Sequence, residues 1–551
     1  MRWHDATRIR ELTIELTKVP SISGTDQERE MANTIYQILK SNYYFAAHPE
    51  FLEKHSIPGD PWSREVITAF VKGTGSSHKT VVLLSHYDVV GTDDYGRFQQ
   101  MAFDPETITE KLRKENPDGL AEDARLDLES GKWLFGRGVM DMKAGLALQI
   151  AMLEHYSQLE AWDGNVMLVA TPDEETGSAG MFEAVAVLNR LKEKYEMDYQ
   201  LCICSEANWP VFPGDHTKYL YTGSVGKLLP VVSSVGTATH VGSPLLGVNA
   251  AWMAAEVVSL MELSHEFQDK VGDESTPLPT CLNLHIVKDA YNVQTPSFAY
   301  AMFNVLTMKQ TPQEVLAKTK KMAVSAADRI VDRIEKSYSM ANSGKDINSM
   351  RPKVFLYQEL YERGIALYGE EFADEIHQEM QQLSSSQAEP REATVHLIQH
   401  VSHYFMEEAP FYVIALAPPF YPHVVLEETG SDKPLVDMME KVLADALAED
   451  GDVKMMRFFP GLSDVSYARI RHAEQTMDAV RQNMPVFGHL YSLPIEEMTK
   501  LNLPTVNIGP FGKDAHQWTE RLELTFSTEV APQLLANTIA YVLNDGSEKG
   551  V

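Results

Sequence analysis

Apolar positions along this chain follow two rhythms, and the switches between them predict its organisation. Residues 25–41 carry apolar side chains at helical period, opened by Thr25 with Glu28 three positions on, the spacing of a capping box. The run Val81-Val82-Leu83-Leu84 is continuous rather than alternating, as in a strand buried on both faces, and 166–170 and 201–204 read the same way. Helical patterns at 144–156 and 181–195 separate these runs. Strand and helix in turn over the first two hundred residues predict a doubly wound α/β sheet, with ligands received beyond the carboxyl ends of its strands.

The texture changes after Gly226. A strand at 227–235, a helix at 249–263, a strand pair at 282–287 and 298–306, and a long helix from Thr311 predict a second, α+β domain. Its last strand, 411–417, is expected to stop at the breaking pair Pro418-Pro419. Between Ser343 and Glu408, helical spacing interrupted at Ser384-Ser385-Ser386 predicts a helical insertion. A helix from Pro434 to Ala448 then leads back to strand-and-turn segments. The expected plan is a mixed-sheet catalytic domain in two parts, 1–225 and 426–551, around a lid or dimerisation domain, 226–425, that carries the insertion 343–408.

Composition narrows the function classes. With 551 residues and 44% hydrophobic content, the chain is long enough for more than one core. Its 48 Lys and Arg face 78 Asp and Glu, and a net charge of -30 repels phosphate backbones and anionic lipid, so neither nucleic acid nor a membrane is an expected partner. No apolar run approaches the roughly 18 residues of a membrane span, and the amino terminus lacks the apolar core of a signal peptide. Three cysteines, Cys202, Cys204 and Cys281, are too few for a disulfide framework, which points to a reducing cytoplasm. Cys202 and Cys204 read as buried packing on a strand.

Candidate chemistry clusters just after the apolar runs. In Ser85-His86-Tyr87-Asp88 an extended backbone projects His86 and Asp88 to one side, so a carboxylate could orient a metal-bound imidazole. Asp141 stands in the glycine-bearing turn from Phe135 to Gly145, where its carboxylate could bridge two cations or simply cap a helix. In Asp173-Glu174-Glu175, adjacent carboxylates repel unless a cation or proton offsets them; one could bind metal while the other holds a water, or the three could form a solvated acidic turn. Glu206 and His516 complete a donor set of the mixture zinc accepts, although each alone is more often a surface or satisfied core residue.

Taken in order, Pro20 to Gly24, Ser85-His86-Tyr87-Asp88, Gly136 to Gly145, Asp173 to Gly177, Ser205-Glu206, Gly461-Leu462-Ser463-Asp464 and the His516 loop resemble the zinc metallopeptidase family of carboxypeptidase G, aminoacylase and succinyl-diaminopimelate desuccinylase. Length and the insertion are similar to its arginine-utilisation (RocB) branch. The resemblance implies two zinc ions, replaceable by manganese or cobalt: Asp141 bridges them, His86 and Glu206 complete one, and Glu175 and His516 complete the other. It implies Glu174 as general base, Asp88 as the partner that holds His86, and a cis peptide after Asp141. His240, in Ala238 to Pro244, would polarise the substrate carbonyl, and Asn292 would contact substrate. The implied activity is hydrolysis of an amide or peptide bond in a small amino-acid derivative or short peptide, with N-acyl-amino-acid deacylation as the alternative and a silent binding protein as the alternative of another class. A homodimer through the lid domain is the implied assembly. Where relatives carry a carboxylate-binding arginine this chain has Leu306, and Ala207 follows Glu206 in place of proline.

Overall fold

A computed structural model describes residues 5–115, 119–212, 214–288, 292–340, 347–449 and 451–544, and the chain divides into two units. The first comprises Met1–Ser224, Val424–Ile470 and Pro494–Val551; the second comprises Val225–His423 and Arg471–Leu493.

An eight-stranded mixed sheet organises the first unit. Across it run Leu52–Ser56, Glu65–Lys72, Asn165–Thr171, Lys79–His86, Asp198–Cys204, Thr505–Asn507, Lys218–Tyr221 and Val453–Met456. The central neighbours Asn165–Thr171, Lys79–His86, Asp198–Cys204 and Thr505–Asn507 are parallel, so their carboxyl ends open on one edge. Continuous apolar runs form these strands because both sheet faces are covered. Val81, Leu83, Leu201 and Ile203 join one core with the helices Ala6–Thr17, Gln27–Ser41, Lys143–Ser157 and Ala531–Leu543. On the opposite face, the Tyr199 hydroxyl donates to the Leu188 carbonyl at 2.9 Å and ties the strand Asp198–Cys204 to the helix Ala179–Tyr195. Each buried Val or Leu side chain contributes about 1.5–3 kcal/mol, which anchors the strand ends firmly enough to aim side chains. Cys202 and Cys204 are free and buried, as the sequence implied.

The expected capping box takes a different form. The helix begins at Gln27 with Asp26 at its N-cap and no side-chain cap. Thr25 Oγ1 instead donates to the Ile22 carbonyl at 2.6 Å, and the Glu28 carboxylate turns away to accept the Gly24 and Asp173 N–H groups, each at 2.9 Å.

A five-stranded sheet organises the second unit, in the order Thr280–Ile286, Phe298–Thr307, Gly226–Val235, Phe411–Tyr421 and Lys353–Leu356. The helices Ala250–Met261 and Pro312–Met340 lie where their periodicity put them. Three readings need correction. The insertion is not wholly helical: Lys353–Leu356 pairs in parallel with Phe411–Tyr421 before the helices Tyr357–Tyr368, Glu370–Ser385 and Pro390–His403 begin, while its expected start at 343 lies outside the described residues. Pro418-Pro419 does not end the last strand. The register shifts between Ala417 and Tyr421, and at such an irregularity the missing proline N–H groups leave no ladder bond broken. Finally, Arg471–Leu493 falls within the second unit, although the sequence reading put all of 426–551 in the catalytic part.

Among the described residues, no helix is long and apolar enough to cross a membrane.

Candidate metal centre

The strand ends of the first unit carry the candidate donors. His86 is the last residue of Lys79–His86; Glu174 and Glu175 sit in the turn after Asn165–Thr171; Glu206 lies two residues past Asp198–Cys204. Asp141 stands in the turn before the helix Lys143–Ser157, and the Asp141–Met142 peptide is cis. That turn packs tightly on its neighbour: a Cβ on Gly145 would lie 2.1 Å from the Ser205 carbonyl, so only glycine lets the helix start approach the Glu206 segment. His516 and Asp173 both adopt left-handed backbones, at φ +63° and +70°, a conformation that costs a non-glycine residue about 1–3 kcal/mol.

These side chains converge around Asp141. Its Oδ1 lies 3.2 Å from His86 Nε2, and its Oδ2 lies 3.1 Å from His516 Nε2. Beside each histidine stands a second carboxylate: Glu206 Oε2 is 3.6 Å from His86 Nε2, and Glu175 Oε1 is 3.1 Å from His516 Nε2. The donor atoms of His86, Asp141 and Glu175 all lie within 4.8 Å of one another. His86 Nδ1 points away, 3.0 Å from the main-chain carbonyl of Asp88 and 3.5 Å from its carboxylate, so the carbonyl is its nearer partner.

The electrostatics are those of an anionic cluster. Burial and the neighbouring Asp141 push the Glu206 carboxyl up to about 8, and burial with the Asp141 charge raises Glu175 as well. Glu174 is raised well above the ordinary carboxylate range by burial and by Glu175, Asp464 and Glu206, despite the opposing influence of His86. Hydrogen bonds to Asp141 and Glu175 lift His516 to about 11. For His86, burial alone would lower the proton affinity, but Glu206, Asp141 and Asp88 outweigh it and hold the ring well above its usual value. Protons do here what a cation would otherwise do: they offset carboxylates crowded together with little access to water.

A ring of buried polar residues holds the donors, and sequence reasoning found only part of it. The Asp88 carboxylate accepts from Ser23 Oγ at 2.6 Å and from the Glu174 and Glu175 N–H groups at 3.1 and 3.2 Å, so it fixes the acidic turn, while the Asp88 main-chain carbonyl is the nearer partner of His86. Buried Glu28 supports that turn through the Asp173 N–H, and Arg64 joins Glu28, Asp60 and Asp173 at 3.4, 2.6 and 2.5 Å. Beneath Asp141, fully buried Glu520 accepts the Met140 and Asp141 N–H groups at 3.3 Å each and pairs with Arg137 at 2.7 Å. Asp464 accepts from Thr171 Oγ1 at 2.9 Å through one oxygen, while burial pushes its carboxyl up to about 7. Glu28, Arg64, Arg137 and Glu520 escaped the sequence reading. Only the capping-like spacing of Glu28 gave any signal, and it pointed elsewhere. A cleft of about 940 Å³, lined in part by Trp209, Phe212, Lys513 and Asp514, adjoins the loop that carries His516.

The two remaining candidates belong to the second unit. His240 is exposed, accepts the Gly242 N–H at Nδ1 at 3.0 Å, and bridges to Gln294 through the backbone. Asn292 is exposed too, and its Oδ1 accepts the Gln294 N–H at 3.1 Å.

The family described as Peptidase family M20/M25/M40 matches residues 82–531. The uncharacterized protein YqjN of Bacillus subtilis is 36% identical over 561 residues, covering 100% of this chain and 99% of that protein. Protein RocB of the same organism is 31% identical over 547 residues, with 98% and 95% covered. Among solved structures, the aminopeptidase PepT of Bacillus cereus shares the fold at a TM-score of 0.52 and 13% identity, with 98% of this chain and 99% of that chain covered.

Proposed function

We propose a reaction for this chain from one premise: it belongs to peptidase family M20/M25/M40 and is a metallopeptidase of that family. In our reading it uses two zinc ions, with manganese or cobalt as substitutes, to cleave an amide or peptide bond of a small amino-acid derivative or short peptide. His86, Glu206 and Asp141 would hold one ion; His516, Glu175 and the same Asp141 would hold the other. The observation that carries this reading is the division of labour at Asp141, whose two oxygens each face one histidine, at 3.2 and 3.1 Å, with a further carboxylate beside each. The donor chemistry fits zinc, which takes imidazole and carboxylate together, and buried like charges of this density are stable only when protons or cations offset them.

When bound, such ions acidify water and polarise a carbonyl. The chain's own residues then move the protons. Glu174, raised in proton affinity and fixed through its main-chain N–H to Asp88, takes a proton from the attacking water at its carboxylate. It returns that proton to the leaving nitrogen as the C–N bond breaks. Asp88 and Glu28 keep the turn from drifting, and Glu520 holds the backbone of Asp141. His240 is read as the group that polarises the substrate carbonyl.

The test is Glu174→Gln beside the parent, assayed for zinc content and for hydrolysis of a panel of dipeptides and N-acyl amino acids. Both proteins are expected to carry about two zinc ions at these donors, with hydrolysis by the parent alone. Equal turnover by the variant rejects Glu174 as the base, and a parent inert on every substrate while metal-loaded favours a silent binding protein.

A further inference from the structure

The second unit holds another group of metal-donor side chains, on the inserted helices. Glu370–Ser385 and Pro390–His403 each bury an apolar face, Phe372, Ile376 and Met380 on the first and Leu397, Ile398 and Val401 on the second. Away from those faces, residues four apart on one helix meet residues four apart on the other, a spacing that puts each pair on one side of its helix. His396 Nε2 lies 2.7 Å from Glu379 Oε1, and His400 Nε2 lies 3.1 Å from Glu375 Oε1; the crossed order of the pairs shows that the helices run antiparallel. The donor atoms of Glu379, His396 and His400 all fall within 4.8 Å of one another.

We propose that Glu379, His396 and His400 form a divalent-metal site of the zinc class that ties the two inserted helices together, with Glu375 beside the fourth position. Tetrahedral zinc with bonds near 2.0–2.2 Å spaces its ligands roughly 3.3 Å apart. The widest gap, at most 4.8 Å, must therefore close by no more than about 1.5 Å, and the His396–Glu379 contact must open slightly. Both are side-chain rotations, and the half-exposed His396 ring has room for them, with 50% of its side chain in solvent. The backbone need not move, because the buried face of each helix already sets the spacing of its donors. Two independent ion pairs would explain the contacts pair by pair, but they would not bind a metal.

The experiment uses the full chain and inorganic zinc. Parent and the double variant His396→Gln, His400→Gln are dialysed against the same low free zinc, and bound metal is counted by mass spectrometry. The parent is expected to retain about one ion per chain more than the variant, with peptidase activity equal in the two. Equal zinc content overturns the proposal and leaves only surface ion pairs. The single change Glu379→Gln guards against a folding artefact: with helical circular dichroism matching the parent, it should weaken zinc uptake at this site about tenfold or more. Undiminished uptake by that variant overturns the proposal as well. Because both comparisons read a difference in metal content, their outcome is independent of whether the centre at Asp141 binds zinc.

Discussion

Asp88→Asn exchanges one carboxylate oxygen for an amide NH₂ at a group with almost no solvent contact. Oδ1 accepts the Glu174 N–H and lies near His86 Nδ1; Oδ2 accepts Ser23 Oγ and the Glu175 N–H. An asparagine keeps only one of those acceptors. The Ser23 hydroxyl can rotate to accept from the new amide, but a main-chain N–H cannot, so at least one buried backbone donor loses its partner at about 1–3 kcal/mol. The surviving bonds lose their charge assistance, so a total near 3 kcal/mol is expected for the metal-free protein at neutral pH. The turn bearing Glu174 and Glu175 also loosens, and a displacement of about 1 Å is enough to lower turnover about 100-fold.

The pH dependence has a definite sign. Burial alone would raise the Asp88 carboxyl, but His86, Ser23 and the Glu174 N–H outweigh it and hold the group below its ordinary 3.8. Its stabilisation is therefore complete above the unfolded-state value and is lost as pH falls through the lower folded-state value. Urea unfolding of parent and variant in the presence of a chelator should give a gap that is full at pH 7 and shrinks below about pH 3.8. A gap of zero at neutral pH, or parental turnover in the metal-loaded variant, refutes the reasoning.

Three further outcomes follow from the same geometry. Adding zinc to the metal-free protein at pH 7 should release protons, because His86 and His516 are held protonated there by their carboxylate neighbours; His516→Gln should release fewer, as measured with an indicator dye in weak buffer, and zinc uptake without proton release contradicts the donor assignment. Glu520→Gln should lower the unfolding free energy by about 3 kcal/mol, since Arg137 keeps Asp94 at 2.9 Å but loses its buried partner; a change under about 0.5 kcal/mol in urea titration would show that pairing to be dispensable. His240→Ala should retain the parental metal content and lose about 100-fold in turnover, and a parental rate removes His240 from the mechanism.

The candidate donors were legible because they obey a local rule: a continuous apolar run names a buried strand, and a carboxylate or imidazole just past its end stands where a parallel sheet receives ligands. His86, Glu174, Glu175 and Glu206 all follow that rule. Their supports follow none. Glu520 meets Arg137 across most of the chain, and nothing near either residue marks the other. Glu28 sat at a spacing that a helix cap explains without remainder, yet its carboxylate serves a turn far along the sequence. Lys353–Leu356 was too short to register beside three strong helical patterns; its strand character comes from pairing with Phe411–Tyr421. Periodicity reports which side of an element is buried, but it is silent on which distant element does the burying.

His516, which faces Asp141 Oδ2, emerges from the ribosome long after His86, Asp141, Glu175 and Glu206. On our reading of the donors, a chain that stops short of this loop lacks His516 and also Glu520, which holds the backbone of Asp141. On that reading hydrolysis requires segments far apart in the sequence, and a partly made polypeptide has no complete centre with which to digest peptides around it.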